Sequence, residues 1–215
     1  MISSSRTGIV LIALALAVGC YGAASLVAEA TAPDRPKFPQ DLTKTRVVSD
    51  PGPDWLELVF PFRSDLEGNH VLIASLQAIQ KGGPGGDNRL RVRLKRVLSF
   101  APFDAPLWLS LALLEMQQDP NGPATVEALR MAYFTAPNDP ALMPARLNAA
   151  TRFDALADPD LKELTRGDVL IMLTRSPEQK ASVVSAYRRA SGRGRAFLEE
   201  ATQFIDPAFL ATLRS

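Results

Sequence analysis

Residues Thr7 to Ala28 form 22 consecutive positions without a charged side chain, bounded by Arg6 and Glu29. A helix rises 1.5 Å per residue, so this run reaches about 33 Å, enough for the ~30 Å hydrocarbon core of a bilayer. The run lacks a polar face, which separates it from the half-buried helix of a globular core. Three fates compete for it. It can remain as an uncleaved signal anchor. It can be a secretory signal cut after Ala28-Glu29-Ala30, which has the small-x-small form. It can also be processed at Cys20, because Leu16-Ala17-Val18-Gly19-Cys20 resembles a bacterial lipobox. Apolar residues continue past Cys20 through Leu26-Val27-Ala28, which favours the anchor and leaves Cys20 as a candidate lipidation site. Arg6 before the run, with Glu29 and Asp34 after it, predicts the N-terminus in the cytoplasm. The expected location is a bacterial inner membrane, crossed once, with the bulk of the chain periplasmic. The alternative is a secreted protein or a lipoprotein.

The division expected is an anchor over 1–30, a proline-rich linker over 31–54 and a helical domain over 55–215. The linker holds Pro33, Pro36, Pro39, Pro51 and Pro53, which reads as an extended spacer without a core of its own. Beyond it the apolar residues recur at helical spacing. Leu66, Leu72, Ile73, Leu76 and Ile79 mark one helix, and Leu90, Leu94, Val97 and Leu98 the next, separated by the glycine-rich stretch 82–88. Further helices are predicted over 107–117, 124–134, 140–156, 161–174, 177–191 and 195–205, with a last turn from Pro207. Asn138-Asp139-Pro140, Asp158-Pro159-Asp160 and Ser176-Pro177-Glu178 place a capping side chain before a helix-compatible proline. No segment reads as an alternating strand bounded by turns. The fold class expected is all-α. Trp108 is expected to lie buried between the helix starting near Leu107 and that of 124–134.

Two segments echo each other 35 positions apart. Leu94, Val97, Leu98, Ala101 and Pro102 correspond to Leu129, Ala132, Tyr133, Ala136 and Pro137, and Asp104 and Asp139 follow at the same offset. Trp108-x2-Leu111, Ala112, Thr125-x3-Leu129 and Pro137 then outline a unit over Ala105 to Pro137. That unit resembles the tetratricopeptide repeat. Glu115 departs from the pattern, standing where the repeat carries an aromatic. The preceding unit keeps only its second helix, and the following one lacks the closing Ala-Pro. The resemblance implies antiparallel helix pairs stacked as a short solenoid, with a concave face that binds a partner.

Charge and chemistry narrow the function. From Thr7 onward 23 basic side chains face 23 acidic ones, so the basic excess of a nucleic-acid binder is missing and no nucleic-acid partner is expected. His70 is the one histidine and Cys20 the one cysteine, which leaves no plausible zinc set and no nucleophile–histidine pair beyond His70 itself. His70 reads as a surface or helix-edge residue. The glycines at 82–86 lack the Gly-Lys-Ser/Thr ending of a phosphate loop. The carboxylates Asp154, Asp158, Asp160, Glu163, Glu199 and Glu200 read as caps and solvated faces. No enzymatic activity and no cofactor are expected. Two basic clusters, Arg89, Arg91, Arg93, Lys95 and Arg96, then Arg188, Arg189, Arg193 and Arg195, read mainly as solvated helix faces. Arg89, Arg93, Arg96, Arg188 and Arg189 are the candidates for an anionic-partner patch. The function expected is a membrane-anchored scaffold or binding module that engages another envelope protein. An accessory role in surface polysaccharide assembly or export is the alternative, and a carboxylate-based hydrolase ranks behind both.

Overall fold

A computed structural model of the chain describes residues 3–31, 34–41, 64–82 and 88–215. Among these residues there are ten α-helices, three short 3-10 turns and no strand. Helix α1 is Ser3–Thr31, and α2 is Ser64–Lys81. They are followed by α3 (Asn88–Phe100), α4 (Ala105–Gln118), α5 (Pro123–Thr135) and α6 (Met143–Arg152). The chain ends with α7 (Pro159–Thr174), α8 (Lys180–Arg189), α9 (Gly192–Ile205) and α10 (Leu210–Arg214). The helix expected over 140–156 is shorter than its apolar pattern. Asp139 turns the chain by accepting from the Ala141 N–H at 2.9 Å, and after Arg152 the backbone becomes extended at Phe153 and tightens into a 3-10 turn.

The helix boundaries follow from local chemistry. Asp104, Asp158 and Ser191 cap α4, α7 and α9 by accepting from the N–H groups of Leu107, Leu161 and Gly194, donors that the first turn of a helix cannot satisfy internally. Prolines stand in the first turn of α4, α5, α6 and α7, where a missing N–H costs nothing. Gly82 ends α2 at φ +55° and donates to the Ala78 carbonyl, a left-handed stop that a Cβ would strain.

One apolar core runs through α2 to α10. On α5 the buried residues are Thr125, Ala128, Leu129, Ala132 and Tyr133, the i, i+3, i+4, i+7, i+8 stripe of a one-faced helix. Helix α4 is apolar almost all round because α2, α3 and α5 all pack on it. Removing a leucine side chain such as Leu129 from this interior costs about 2–5 kcal/mol. Every helix-borne position of the 35-residue echo is buried: Leu94, Val97 and Leu98 on α3, and Leu129, Ala132 and Tyr133 on α5. Trp108 is half-buried and not a core residue. Its ring packs against the cluster while Nε1 donates to the Pro102 carbonyl at 2.8 Å, and that bond holds the indole at the rim. His70 is buried on α2, against the expectation of an edge position, because Val71, Leu72 and Ile73 carry that part of the helix into the core.

Helix α1 contains one span, Thr7–Val27, long and apolar enough to cross a membrane or serve as a signal sequence. None of that span is buried within the protein. The segment 34–41 behaves differently from a free spacer. Phe38 is 6% exposed and joins the core, Arg35 pairs with Asp104, and Asp41 receives Arg189. The boundary expected at residue 54 lies outside the described residues.

Candidate interaction surface

The basic run on α3 is divided by the helical turn. Arg91 is buried and faces Glu115 of α4 at 3.8 Å, and Lys95 reaches the same carboxylate at 2.7 Å. Glu115, the residue that departs from the expected repeat pattern, thus faces two cations of α3. Arg93 pairs with Glu67 of α2 at 3.6 Å. Arg89 and Arg96 are exposed; Val92, Arg96 and Phe100 share the outer face of α3 at i, i+4 and i+8, with Arg89 three positions before Val92. In the second cluster Arg188 is exposed, while Arg189 forks onto Asp41 with bonds of 3.4 and 3.1 Å. Of the five arginines expected as an anionic-partner patch, Arg93 and Arg189 are ion-paired, with Glu67 and Asp41, while Arg89, Arg96 and Arg188 are exposed. Cys20 is exposed on α1.

The carboxylates singled out by sequence are engaged by cations: Glu163 and Glu200 share Arg166, at 3.6 and 3.0 Å, and Arg193 lies 3.5 Å from Asp154. Asp158 caps α7 and also takes Arg130 at 2.8 Å. Glu200 accepts from Arg166 and Lys162, and the Arg166 bond is the main reason its carboxyl lies below the usual range. Glu199 accepts from Arg214 and from the Tyr187 hydroxyl, and these bonds lower it too. Among the described residues no group of His, Cys, Asp and Glu is placed to hold a metal ion.

A buried polar cluster escaped the sequence reading. Arg146 of α6 is fully buried, and all five of its N–H donors are engaged. Nε and Nη2 fork onto Asp168 of α7 at 3.1 and 2.9 Å. Nη1 donates to the carbonyls of Ala132 and Ala136, and Nη2 to that of Pro137. The guanidinium also stacks on Tyr133, 4.5 Å from the ring centre. Carbonyls at the end of a helix have no intrahelical donor, so one side chain closes α5 and pins it to α6 and α7. Burial pushes the Asp168 carboxyl up to about 7, against the pull of Arg146 and Tyr133. Burial likewise raises Tyr133. The signal in the sequence is slight: a lone arginine in Met143-Pro-Ala-Arg146-Leu-Asn-Ala-Ala150 and a lone aspartate before Val169-Leu-Ile-Met172.

The outward features are hydrophobic at one corner. Phe100 and Phe103 are 58% and 84% exposed at the α3–α4 turn, and Phe134 is exposed at the end of α5. Neither a known protein family, nor a curated protein, nor a solved structure matches the chain.

Proposed function

We propose that this chain is a membrane-anchored adaptor. Helix α1 stays in the inner membrane, and the helical domain stands on its periplasmic side and engages another envelope protein. The observation that carries the reading is the pairing of an unburied spanning-length helix with a separately cored helical domain. Side chains such as Ile9, Leu11, Ile12 and Leu14 have no protein cover, so they call for a lipid surrounding. The domain is read as tetratricopeptide-like helix pairs stacked as a short solenoid. The buried echo positions support this, as do the contacts between next-but-one helices, α2 with α4, α5 with α7, α6 with α8 and α7 with α9.

The proposal includes action by binding and not by catalysis. Asp168, the carboxylate most raised from its ordinary value, is sealed from solvent and spent on Arg146. The remaining shifted carboxylates, Glu200, Asp206 and Glu199, serve ion pairs with Arg166 of α7, Lys180 of α8 and Arg214 of α10. The test is cross-linking in intact membranes, followed by detergent extraction and identification of what stays attached. A specific envelope protein, cross-linked through residues of α2 to α10, is the expected result. Recovery of the chain with no cross-linked neighbour would sink the adaptor reading.

A further inference from the structure

Covalent geometry restricts where the domain can sit once α1 is in a bilayer. Helix α1 runs to Thr31, four residues past the apolar span. Three Cα steps of 3.8 Å then lead to Asp34, at most about 11 Å away. The next residue, Arg35, pairs with Asp104, the N-cap of α4. Phe38 and Pro39 are buried on the domain, and Asp41 is held by Arg189 at the end of α8. The chain is thus fastened to the domain almost as soon as it leaves the anchor. The fastening point at Asp104 is immediately preceded in sequence by Phe103.

We propose that the α3–α4 corner rests in the phospholipid interface beside the anchor, with Phe103 and Phe100 among the headgroups and upper acyl chains. Two independent observations support a lipid occupant. The tether puts this corner within reach of the bilayer that holds α1. The corner's composition is also that of an interfacial surface, since the outer face of α3 presents Val92, Arg96 and Phe100 in one stripe that continues to Phe103. Exposed Lys37 lies on the docked segment, two residues after Arg35. Aromatic rings favour the headgroup level, and cations there meet anionic lipid phosphates. Phe204 on α9 is a built-in contrast. Phe204 is as exposed as Phe103, but it lies near Asp206, which Lys180 holds at the start of α8. That is one helix length, about 15 Å, from Arg189 and Asp41.

This inference rests on the anchored reading, and one experiment separates the two. The full chain with Cys20→Ala and either Phe103→Cys, Phe100→Cys or Phe204→Cys carries one environment-sensitive fluorophore. It is reconstituted in phosphatidylethanolamine–phosphatidylglycerol bilayers containing brominated acyl chains. The expected result is blue-shifted emission and loss of most intensity to bromolipid at 103 and 100, with neither at 204. A label at 103 that iodide quenches and bromolipid does not, in protein resistant to alkaline carbonate, overturns the corner assignment while the anchor stands. Protection from both quenchers means a protein covers the corner and overturns it as well. Chain released by carbonate refutes the anchor, and the corner assignment falls with it.

Discussion

At the scale of single residues, Arg146 decides most. A buried ion pair gains little over apolar side chains of the same size, but breaking one leaves an uncompensated charge. Asp168→Leu strands the Arg146 guanidinium, and a loss of about 3–5 kcal/mol is expected in urea melts of the detergent-solubilised chain. The double variant Arg146→Met/Asp168→Leu should recover part of that loss. It should not recover all, because the carbonyls of Ala132, Ala136 and Pro137 lose their donor, at about 1–3 kcal/mol for each one left buried and unpaired. Complete recovery would show that the closure of α5 does not depend on Arg146. Two neighbouring glycines give a sharper contrast. A Cβ on Gly194 would overlap the Thr151 carbonyl oxygen, which Ser191 already holds through its N–H at 3.0 Å. A Cβ on Gly192 would meet nothing within 4 Å. Gly194→Ala should therefore cost about 1–3 kcal/mol by forcing α9 off the end of α6. Gly192→Ala should be neutral or stabilising by up to about 1 kcal/mol, since alanine is the better helix former. Equal melting of the two variants would contradict the close packing at Thr151.

At the scale of elements, the C-terminal helices are tied on by half-buried carboxylates, and this fixes how they respond to acid. Arg214 and Tyr187 donate to Glu199, and Lys180 donates to Asp206; those bonds set both carboxyls below their ordinary values. A carboxyl lowered in the folded state binds fewer protons there than in the unfolded chain. Its contribution is therefore complete above the ordinary value, near 4–4.5, and is lost as pH falls through the lowered one. Amide protection factors in α10 should drop below about pH 4 before those of α4 do, and Glu199→Gln should remove much of that dependence. Uniform loss across both helices would refute a local tie. The same comparison explains what was legible in the sequence. Helix α5 could be read because proline, a one-sided apolar stripe and a closing Ala-Pro are local signals. Asp158 could be read as a cap for the same reason. Arg35 with Asp104 and Asp41 with Arg189 lie 69 and 148 positions apart, and no periodicity relates them. The prolines of the docked segment signal a spacer, because they are visible in the sequence and its distant partners are not. Spacing alone puts Trp108 too deep, because it reports which face points inward, while a hydrogen bond to Pro102 decides how far.

At the scale of the whole molecule, the short tether couples orientation to contact. If α1 spans the bilayer, the domain follows on whichever side Thr31 emerges, and only three residues separate that end from Arg35. The sidedness proposed is periplasmic, because Arg6 precedes the span while Glu29 and Asp34 come directly after it. The opposite assignment would require Arg6 and the amino terminus to cross, against the usual retention of cations in the cytoplasm. A reporter active only outside the cytoplasm, fused after Ser215, should give signal, and a cytoplasm-only reporter at the same place should not. Alkaline carbonate should leave the full-length chain in the membrane fraction, whereas cleavage after Ala30 would release a chain shortened by the anchor. Cys20→Ala should leave membrane attachment unchanged, because the apolar span and not an acyl chain supplies the hold. Detachment of that variant would move Cys20 from a lipid-facing side chain to the attachment point itself. It would also remove the helix whose end fixes the α3–α4 corner at the bilayer.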